Sequence, residues 1–232
     1  MTDNGIPQYA IDAVLERRGG LHMFEDAQAS DSVLLIIDMQ EFACAEGSPV
    51  EIPAAREVVP ALNKLTAACR ASDVPVVWVK HQNMSGGHDW NLFFDRFLTP
   101  EVREATIAAL SPGSPALEVY HELEVDEERD LVVNKNRFSA LVPGASTLDR
   151  LLRSLGRKTL IIGGTKTNIC CESTARDAMM MDYNVLFLSD GCGALTPDEH
   201  EAALGTVLQN FGDVVSTDEV IDRLNLKAGA AA

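Results

Sequence analysis

The sequence predicts an α/β fold, a three-layer α/β/α arrangement around a mostly parallel sheet of about six strands. From residue 33 onward, short runs of branched apolar residues alternate with segments of helical periodicity. The runs are apolar almost throughout, which is typical of parallel strands that helices cover on both faces. The six runs span residues 33–37, 76–79, 131–133, 159–162, 185–188 and, more weakly, 214–215. Helical periodicity lies between them at 54–71, 146–155, 170–181, 197–210 and 217–224.

The elements outside this alternation divide the chain into three parts. Residues 1–30 form a polar N-terminal arm whose one helical segment, 9–18, ends at a Gly-Gly pair. The arm is either a loose extension or a strap across a neighbouring subunit. A single domain covers 31–226, and its stretch 81–120, rich in glycine, proline and aromatic residues, is an insertion that serves as a lid or a subunit contact. Residues 227–232 form a disordered tail.

Composition excludes several classes of protein. The 232 residues carry 19 basic and 35 acidic side chains and a net charge of −16, which argues against a nucleic-acid partner. No run approaches the roughly 20 apolar residues of a membrane helix, and the first residues lack the pattern of a signal peptide. Five cysteines, two of them adjacent, do not suit a disulfide framework. We therefore expect a cytoplasmic protein with reduced thiols and no membrane partner.

Three polar residues follow predicted strands. Asp38 comes after the first strand, Lys135 after the third, and Cys170 after the turn that follows the fourth. Ligands of open parallel sheets bind beyond the carboxyl ends of the strands, so these positions are candidates for function. Each residue also has an ordinary structural role open to it: a carboxylate in a turn, a solvated surface cation, and a small side chain that packs a helix on the sheet.

The chemistry of a thiolate favours the functional interpretation. A helix N-terminus and a nearby lysine lower the pKa of a thiol, and Cys170 begins a predicted helix. If the three residues converge, Asp38 can accept the thiol proton and Lys135 can stabilise the thiolate. Cys171 points about 100° away around the helix and is expected to face the core, although the two roles are exchangeable from sequence alone. The remaining three cysteines are assigned to packing: Cys44, Cys69 and Cys192.

With these residues in view, the sequence resembles the isochorismatase-like cysteine hydrolases over about residues 31–216. The motifs that carry the resemblance are Leu34-Leu35-Ile36-Ile37-Asp38-Met39-Gln40, Asn134-Lys135-Asn136-Arg137-Phe138-Ser139 and Gly164-Thr165-Lys166-Thr167-Asn168-Ile169-Cys170 with its continuation Glu172-Ser173-Thr174-Ala175-Arg176-Asp177-Ala178. The sequence around Cys170, from Thr167 to Thr174, and the arm segment Glu16-Arg17-Arg18-Gly19-Gly20 look most like the ureide-cleaving branch of the family. This branch includes ureidoacrylate, biuret and triuret hydrolases.

The resemblance implies roles for individual residues. The nucleophile falls on Cys170, the base on Asp38 and the lysine on Lys135. The oxyanion hole would consist of the backbone N–H groups of Cys170 and Lys166, with a cis peptide between Thr165 and Lys166. Relatives place a substrate-facing side chain near the end of the penultimate helix, which corresponds here to Asn210, with Gln209 as the competing candidate.

The resemblance also bears on metals. Nicotinamidase relatives carry an Asp-x-His metal motif after the second strand, whereas this chain has Lys80-His81-Gln82-Asn83 there. His81 and His88 lack a third clustered ligand in the sequence. We therefore expect no metal and no cofactor.

The predicted function is a metal-free amidohydrolase that cleaves a C–N bond of a small linear ureide of the biuret or triuret type through a covalent cysteine adduct. Ureidoacrylate and N-carbamoyl compounds are alternatives with the same mechanism. The candidate residues for the wall of the substrate pocket, which could equally pack a loop or a subunit seam, are Arg137, Phe138, Trp90 and Phe94. A homo-oligomer, with four subunits, is expected from the resemblance and from the apolar insertion.

Two interpretations from other classes compete with this one. A non-catalytic protein could bind a small molecule in the same pocket, although the retained Asp, Lys and Cys weigh against it. A dinucleotide-dependent oxidoreductase is suggested by Gly191-Cys192-Gly193 after a strand, but residue 196 is Thr where the fingerprint needs its third glycine.

Overall fold

A six-stranded parallel sheet forms the middle layer, as the apolar runs predict. The computed structural model describes residues 5–227, and the predicted tail, apart from Lys227, lies outside them. The strands are β1 Ser32–Ile37, β2 Val76–His81, β3 Leu131–Lys135, β4 Thr159–Thr165, β5 Asn184–Gly193 and β6 Asp213–Val215. Their order across the sheet is β3-β2-β1-β4-β5-β6, and every neighbouring pair is parallel.

Helices cover both faces of this sheet. They are α1 Gln8–Arg18, α2 Glu41–Cys44, α3 Ala54–Glu57, α4 Val59–Ala71, α5 Asn91–Arg96, α6 Pro100–Leu110, α7 Leu148–Leu155, α8 Glu172–Met180, α9 Pro197–Asn210 and α10 Thr217–Arg223. The chain moves one way along the sheet from β1 to β3 and the opposite way from β4 to β6, so right-handed crossovers place α4 and the pair α8 and α9 on opposite faces. Helix α10 packs beside α4, and α1 packs on α9. No helix within residues 5–227 has both the length and the hydropathy that crossing a membrane requires.

Burial along the strands follows their place in the sheet. All residues of β1 and β4, the two central strands, are buried. The edge strand β3 alternates instead, with Val133 buried and Val132 58% exposed. Near-continuous apolar sequence therefore marks the middle of the sheet, where helices cover both faces.

The helix predicted at 54–71 is interrupted. It forms as α3 and α4 with Val58 between them, and Pro60 lies in the first turn of α4. Proline has no backbone N–H to donate and its ring crowds the preceding turn, so it is accepted in the first turn of a helix and breaks an interior. Periodicity alone does not see this break because the apolar face continues through it.

The N-terminal arm lies against its own chain. The predicted helix at 9–18 is α1, which ends at Gly19 in the left-handed conformation with φ 73°. Beyond it, the backbone N–H groups of Met23 and Phe24 donate to the carboxylate of Asp213 at 2.9 to 3.1 Å. Asp213 is fully buried and also accepts from Arg223 at 3.0 Å. The arm is thus anchored to the start of β6, and a loose extension is excluded for its described part.

The stretch 81–120 is helical for much of its length. It contains two short 3-10 segments, Ser85–Trp90 and Pro115–Leu117, in addition to α5 and α6. The stretch leads from the end of β2 back towards β3 and stands over the carboxyl edge of the sheet, where Phe93, Thr106 and Leu110 line a cavity.

The strand order fixes where that cavity opens. The chain leaves β1 towards β2 on one side, whereas β4 pairs on the other side of β1. The carboxyl ends of β1 and β4 thus form a topological switch point, the place where open α/β sheets bind ligands. The two strands meet very closely there, because Gly164 has φ +117° and an added Cβ would lie 2.1 Å from the Ile37 carbonyl oxygen.

This close contact gives a first prediction. Gly164→Ala should lower the free energy of unfolding by about 3 kcal/mol or more, since the side chain meets backbone on β1 and the φ angle is strained for alanine. Urea denaturation of the purified variant measures the change. Gly20→Ala is the matched control, because its added Cβ comes no closer than 3.8 Å to any atom. Equal stability of the two variants would contradict the prediction.

Candidate active site

Four strands deliver one polar side chain each to the carboxyl edge, and the side chains follow the order of the strands. Lys135 ends β3, His81 ends β2, Asp38 follows β1, and Cys170 follows the turn after β4. Lys135 and His81 are register partners. Neighbouring strands lie about 4.8 Å apart, so Lys135 must reach about 10 Å from β3 to β1. A lysine side chain is long enough to do so when its partner extends towards it.

An ion pair joins Asp38, which follows β1, to Lys135, which ends β3. Lys135 Nζ lies 2.7 Å from Asp38 Oδ2, and the two side chains are 0% and 4% exposed. The ammonium also donates to the Arg137 carbonyl oxygen at 3.1 Å. Asp38 itself is held by its backbone, since its N–H donates to the Val79 carbonyl at 2.8 Å and its carbonyl accepts from the Thr165 hydroxyl at 3.2 Å.

His81 belongs to the cluster, although its place in the sequence suggests only a metal ligand. Its Nδ1 lies 3.1 Å from Lys135 Nζ and its Nε2 lies 2.9 Å from Asn83 Oδ1. An ammonium can only donate, so Nδ1 accepts and the ring proton sits on Nε2, where it is donated to Asn83. Burial and the Lys135 charge hold the pKa of His81 well below its usual value. His81 is thus a neutral acceptor that orients the ammonium, and its place at a strand end was the available signal.

Cys170 lies at the end of this row. Its Sγ, a carboxylate oxygen of Asp38 and a ring nitrogen of His81 lie within 4.8 Å of one another. The cysteine is 7% exposed and borders the cavity. It sits in a π-helical turn, Thr167–Cys171, ahead of α8, rather than in the first turn of an α-helix as predicted. Its carbonyl accepts from the Thr174 hydroxyl at 2.7 Å, which ties the turn to α8.

The protonation of Cys170 differs from the sequence expectation. A helix N-terminus and a lysine were expected to lower the pKa of the thiol, but burial and the Asp38 charge raise it, with Lys135 opposing them. Burial also raises the pKa of Asp38, against the pull of Lys135. For Lys135, burial is outweighed by Asp38 and Cys170, so its pKa is raised. The raised pKa keeps the proton on Cys170, and the 2.7 Å ion pair supports a carboxylate on Asp38 and an ammonium on Lys135.

The turn before Cys170 presents backbone to the same space. The peptide bond between Thr165 and Lys166 is cis, as predicted, and both residues border the cavity. The Lys166 side chain points away to a salt bridge with Glu199 at 3.0 Å. The backbone of the turn is therefore available to the cavity while the lysine charge is neutralised elsewhere.

Three potential metal ligands meet here, namely Asp38, His81 and Cys170. The Lys135 ammonium donates to Asp38 at 2.7 Å and contacts His81 at 3.1 Å. A divalent ion at this point would face a buried cation and would have to displace two of its hydrogen bonds. These side chains already bind the Lys135 ammonium, and as a group they do not fit a metal ion.

A cavity of about 490 Å³ opens above the cluster. Beside Asp38, His81 and Cys170, most of its wall is apolar: Phe42, Pro49, Val50, Ile52, Phe93, Leu110, Phe138, Ile169 and Leu195. Phe138 was predicted to line the pocket and does. Phe93 was not, because consecutive residues of a helix point about 100° apart and the sequence does not say which of Phe93 and Phe94 faces the ligand.

Three other predicted lining residues stand behind this wall. Trp90 packs edge-on against Phe138 with ring centroids 4.7 Å apart. Arg137 lies 5.0 Å from the centroid of the Trp90 ring and donates to the Asp89 carbonyl at 2.7 Å. Phe94 is fully buried within the insertion. These residues support the cavity wall, and the structure corrects their placement from contact with the ligand to packing behind Phe93 and Phe138.

The structure also corrects the placement of Asn210 and Gln209. The Asn210 amide oxygen accepts from Arg17 at 3.2 Å, and the Gln209 carbonyl accepts from the same guanidinium. Helix α9 begins at the carboxyl edge of the sheet and descends 14 residues to the opposite edge, a distance of about 20 Å. Both residues therefore lie on the arm side, away from the cavity of their own chain.

The second cysteine and the glycine pair have structural roles. Cys171 is fully buried, and burial together with neighbouring Cys192 raises the pKa of its thiol. Gly191 and Gly193 lie inside β5, not in a loop that opens a helix. An added Cβ would lie 2.7 Å from the Leu188 side chain of the same strand at Gly191, and 3.0 Å from the Ala54 backbone at Gly193. This pair is therefore a packing feature rather than a dinucleotide fingerprint.

A thiol, a carboxylate and an ammonium at the switch point of a parallel sheet form an arrangement suited to hydrolysis by nucleophilic attack. The model of the isochorismatase domain matches residues 32–219. The chain belongs to the isochorismatase family. The prediction of a family hydrolase that acts on C–N bonds other than peptide bonds is confirmed at this level.

Individual relatives are moderately similar. An Arabidopsis thaliana protein named "Probable inactive nicotinamidase" is 30% identical over 74% of this chain and 85% of its own length. The ureidoacrylate amidohydrolase RutB of Pseudomonas savastanoi pv. phaseolicola is 29% identical over 82% of each chain. Among solved structures, a cysteine hydrolase from Pseudomonas syringae pv. phaseolicola has a TM-score of 0.80 at 28% identity, covering 89% of this chain and 97% of its own.

The charges of the cluster predict the effect of removing the lysine. In Lys135→Met the pKa of the Cys170 thiol should rise further, because its thiolate would become a second buried negative charge beside Asp38 without a cation. Alkylation of Cys170 by iodoacetamide should slow at least about tenfold at neutral pH, since one unit of pKa changes the thiolate fraction tenfold.

The rate is followed against pH by mass spectrometry of the Cys170 peptide. Lys80→Met is the control, because Lys80 sits on the neighbouring strand and pairs with Glu118 at 3.4 Å. An unchanged pH profile in Lys135→Met would leave the lysine without an electrostatic role at the thiol.

Proposed function

We propose that the protein is a metal-free cysteine amidohydrolase that cleaves a C–N bond of a small linear ureide through a covalent Cys170 adduct. The observation that carries the proposal is the buried contact of Cys170, Asp38 and Lys135 at the floor of a cavity. A thiol beside a general base, with a cation to balance their charge, is suited to nucleophilic attack on an amide carbonyl. Family membership and a ureidoacrylate amidohydrolase among the relatives support it.

The first half of the reaction forms the adduct. Asp38 accepts the Cys170 proton as Sγ attacks the carbonyl carbon, so the thiolate forms only when an electrophile is in place. The raised pKa of the carboxyl, caused by burial, makes it a stronger base than an exposed aspartate. Lys135 balances the charge of the cluster throughout, and His81 keeps the ammonium directed at Asp38.

The second half restores the enzyme. The tetrahedral adduct collapses, the C–N bond breaks, and the protonated Asp38 carboxyl gives its proton to the departing nitrogen. A water molecule then gives a proton to Asp38 and attacks the thioester-like carbonyl carbon. The C–S bond breaks and the sulfur recovers the proton, so that protons and electrons balance over the cycle.

The oxyanion is assigned to the backbone. We place it at the N–H groups of Lys166 and Cys170, in the turn that borders the cavity. Preorganised donors of this kind each contribute roughly 3 kcal/mol to stabilising a tetrahedral intermediate. The salt bridge of the Lys166 side chain with Glu199 leaves that role to its amide.

The identity of the linear ureide is also part of the proposal. Biuret, triuret, ureidoacrylate and N-carbamoyl compounds all present a planar ureide carbonyl to the thiol and differ in the group beyond it. We also propose a cytoplasmic homo-oligomer with four subunits. All five cysteines are free thiols, which suits a reducing compartment, and exposed apolar side chains of the insertion such as Leu92 and Phe97 suit a subunit contact.

The proposal predicts that Cys170→Ala abolishes turnover of linear ureides while leaving the protein folded. Ammonia release from biuret, triuret, ureidoacrylate and N-carbamoyl substrates, with nicotinamide for comparison, measures activity. Brief incubation of the wild type followed by acid quench should reveal the adduct mass on the Cys170 peptide. Loss of the thiol removes the covalent route, so activity should fall at least about 10³-fold.

Cys171→Ala is the matched control. It removes the adjacent sulfur from the core side of the turn and should retain ammonia release. Activity that survives in Cys170→Ala and disappears in Cys171→Ala would move the nucleophile by one residue. Binding of the same compounds without any ammonia release by the wild type would favour a non-catalytic binding protein.

A further inference from the structure

The cavity has two chemically different ends. The charged and titratable groups of the cluster lie together at the carboxyl edge of the sheet, where Asp38, His81 and Cys170 meet. The remainder of the wall is built from aliphatic and aromatic side chains. Two other charged residues border the cavity, but Glu51 accepts from Arg56 at 2.7 Å and Lys166 pairs with Glu199 at 3.0 Å. Their charges are neutralised by these partners.

One polar atom in the apolar part of the cavity wall has no hydrogen-bond partner among the described residues. Thr106 on α6 is 2% exposed and borders the cavity. Its Oγ1 is buried and has no hydrogen-bond partner among residues 5–227. A threonine in a helix ordinarily satisfies its hydroxyl on the carbonyl one turn back, which this one does not do. A buried polar group without a partner costs about 1 to 3 kcal/mol, so such a group calls for an explanation.

We infer that the cavity selects a linear ureide bearing a branched-aliphatic or aryl substituent whose far end carries one hydrogen-bonding atom for the Thr106 hydroxyl. The inference rests on the proposed function for the orientation, with the ureide carbonyl at Cys170 and the substituent against Phe93, Phe138 and Leu110. It narrows the substrate class, since biuret and triuret carry no apolar part.

The energetics favour the substituted ureide. Biuret and triuret would bring additional amide groups against apolar side chains, and each amide left without a partner there costs free energy. An aryl or branched group would bury its own surface against the same wall, at about 25 cal/mol for each Å² removed from water. A cavity of about 490 Å³ is within the usual range for ligands larger than biuret.

A series of N-acylureas tests the inference. The probes are biuret, acetylurea, benzoylurea and the three hydroxybenzoylureas, with ammonia release as the measurement. We expect kcat/KM for benzoylurea to exceed that for biuret and acetylurea by about 100-fold or more. At least one hydroxybenzoylurea should gain a further three- to tenfold from its hydrogen bond. Turnover of biuret equal to or faster than that of benzoylurea would overturn the inference and leave the proposed function standing.

Thr106 variants test the hydroxyl. In Thr106→Val, the kcat/KM ratio of the favoured hydroxybenzoylurea to benzoylurea should fall to about one, whereas Thr106→Ser should retain it. Thr206→Val is the control, because the Thr206 hydroxyl is bonded to the Ala202 carbonyl on α9 at 2.9 Å, away from the cavity. A ratio that persists in Thr106→Val would remove this residue from recognition.

Aromatic variants test the wall. Phe93→Ala should reduce the preference for benzoylurea over acetylurea by about tenfold or more. Phe97→Ala is the matched control, since Phe97 stacks on Phe93 from outside, does not border the cavity and is 72% exposed. An equal loss of preference in both variants would indicate a general loss of structure and contradict the assignment of Phe93 to the ligand.

Binding measurements keep the two proposals separable. Calorimetric titration of Cys170→Ala with benzoylurea and with biuret reports the preference of the cavity without any chemistry. Tighter binding of benzoylurea, together with an inactive wild type, would support the inference and refute the proposed hydrolysis. Tighter binding of biuret would refute the inference whatever the activity.

Discussion

The buried ion pair of Asp38 and Lys135 is the constraint on which the site depends. Two charges with almost no exposure are tolerated in an apolar interior only as partners, and removing one typically costs 3 to 5 kcal/mol. The pair sets the state of its neighbours. The ammonium forces His81 to accept through Nδ1, and burial together with the carboxylate charge raises the pKa of Cys170 and keeps its proton in place. In the reaction we propose, chemistry therefore starts from a neutral thiol, and the thiolate forms only during attack.

The sheet explains how so much charge is held in one place. Parallel strands end at a common edge, and the order β3-β2-β1-β4 places a lysine, a histidine, an aspartate and a cysteine in a line. Each of these side chains is held in place by a structural element that is itself rigid. Gly164 lets β4 approach β1 closely enough for the turn to reach Asp38. The residues that react therefore need little reorganisation, which is what preorganised sites supply.

The insertion supplies the part of the cavity wall that the sheet does not provide. Phe93, Thr106 and Leu110 come from α5 and α6 and close the cavity opposite the cluster. In the function we propose, the strand ends act on a carbonyl, whereas the insertion contacts the group attached to it. These tasks belong to different parts of the chain, so relatives that share the strand ends can differ in substrate. A name taken from a relative thus informs the reaction more than the ligand.

The sequence by itself determined the parallel sheet, five of its six strands clearly, and the three polar residues at strand ends, because apolar periodicity and chain order are local properties. The prediction of one continuous helix over 54–71 was wrong, although Pro60 was a local signal for the break at Val58. Only the tertiary structure decided the protonation of Cys170, since burial and the Asp38 charge together raise the pKa of its thiol against the opposing charge of Lys135. It also decided which aromatic residue borders the cavity, and it placed Asn210 at the far edge of the sheet. These depend on rotation and direction of helices in space, which a linear pattern does not contain.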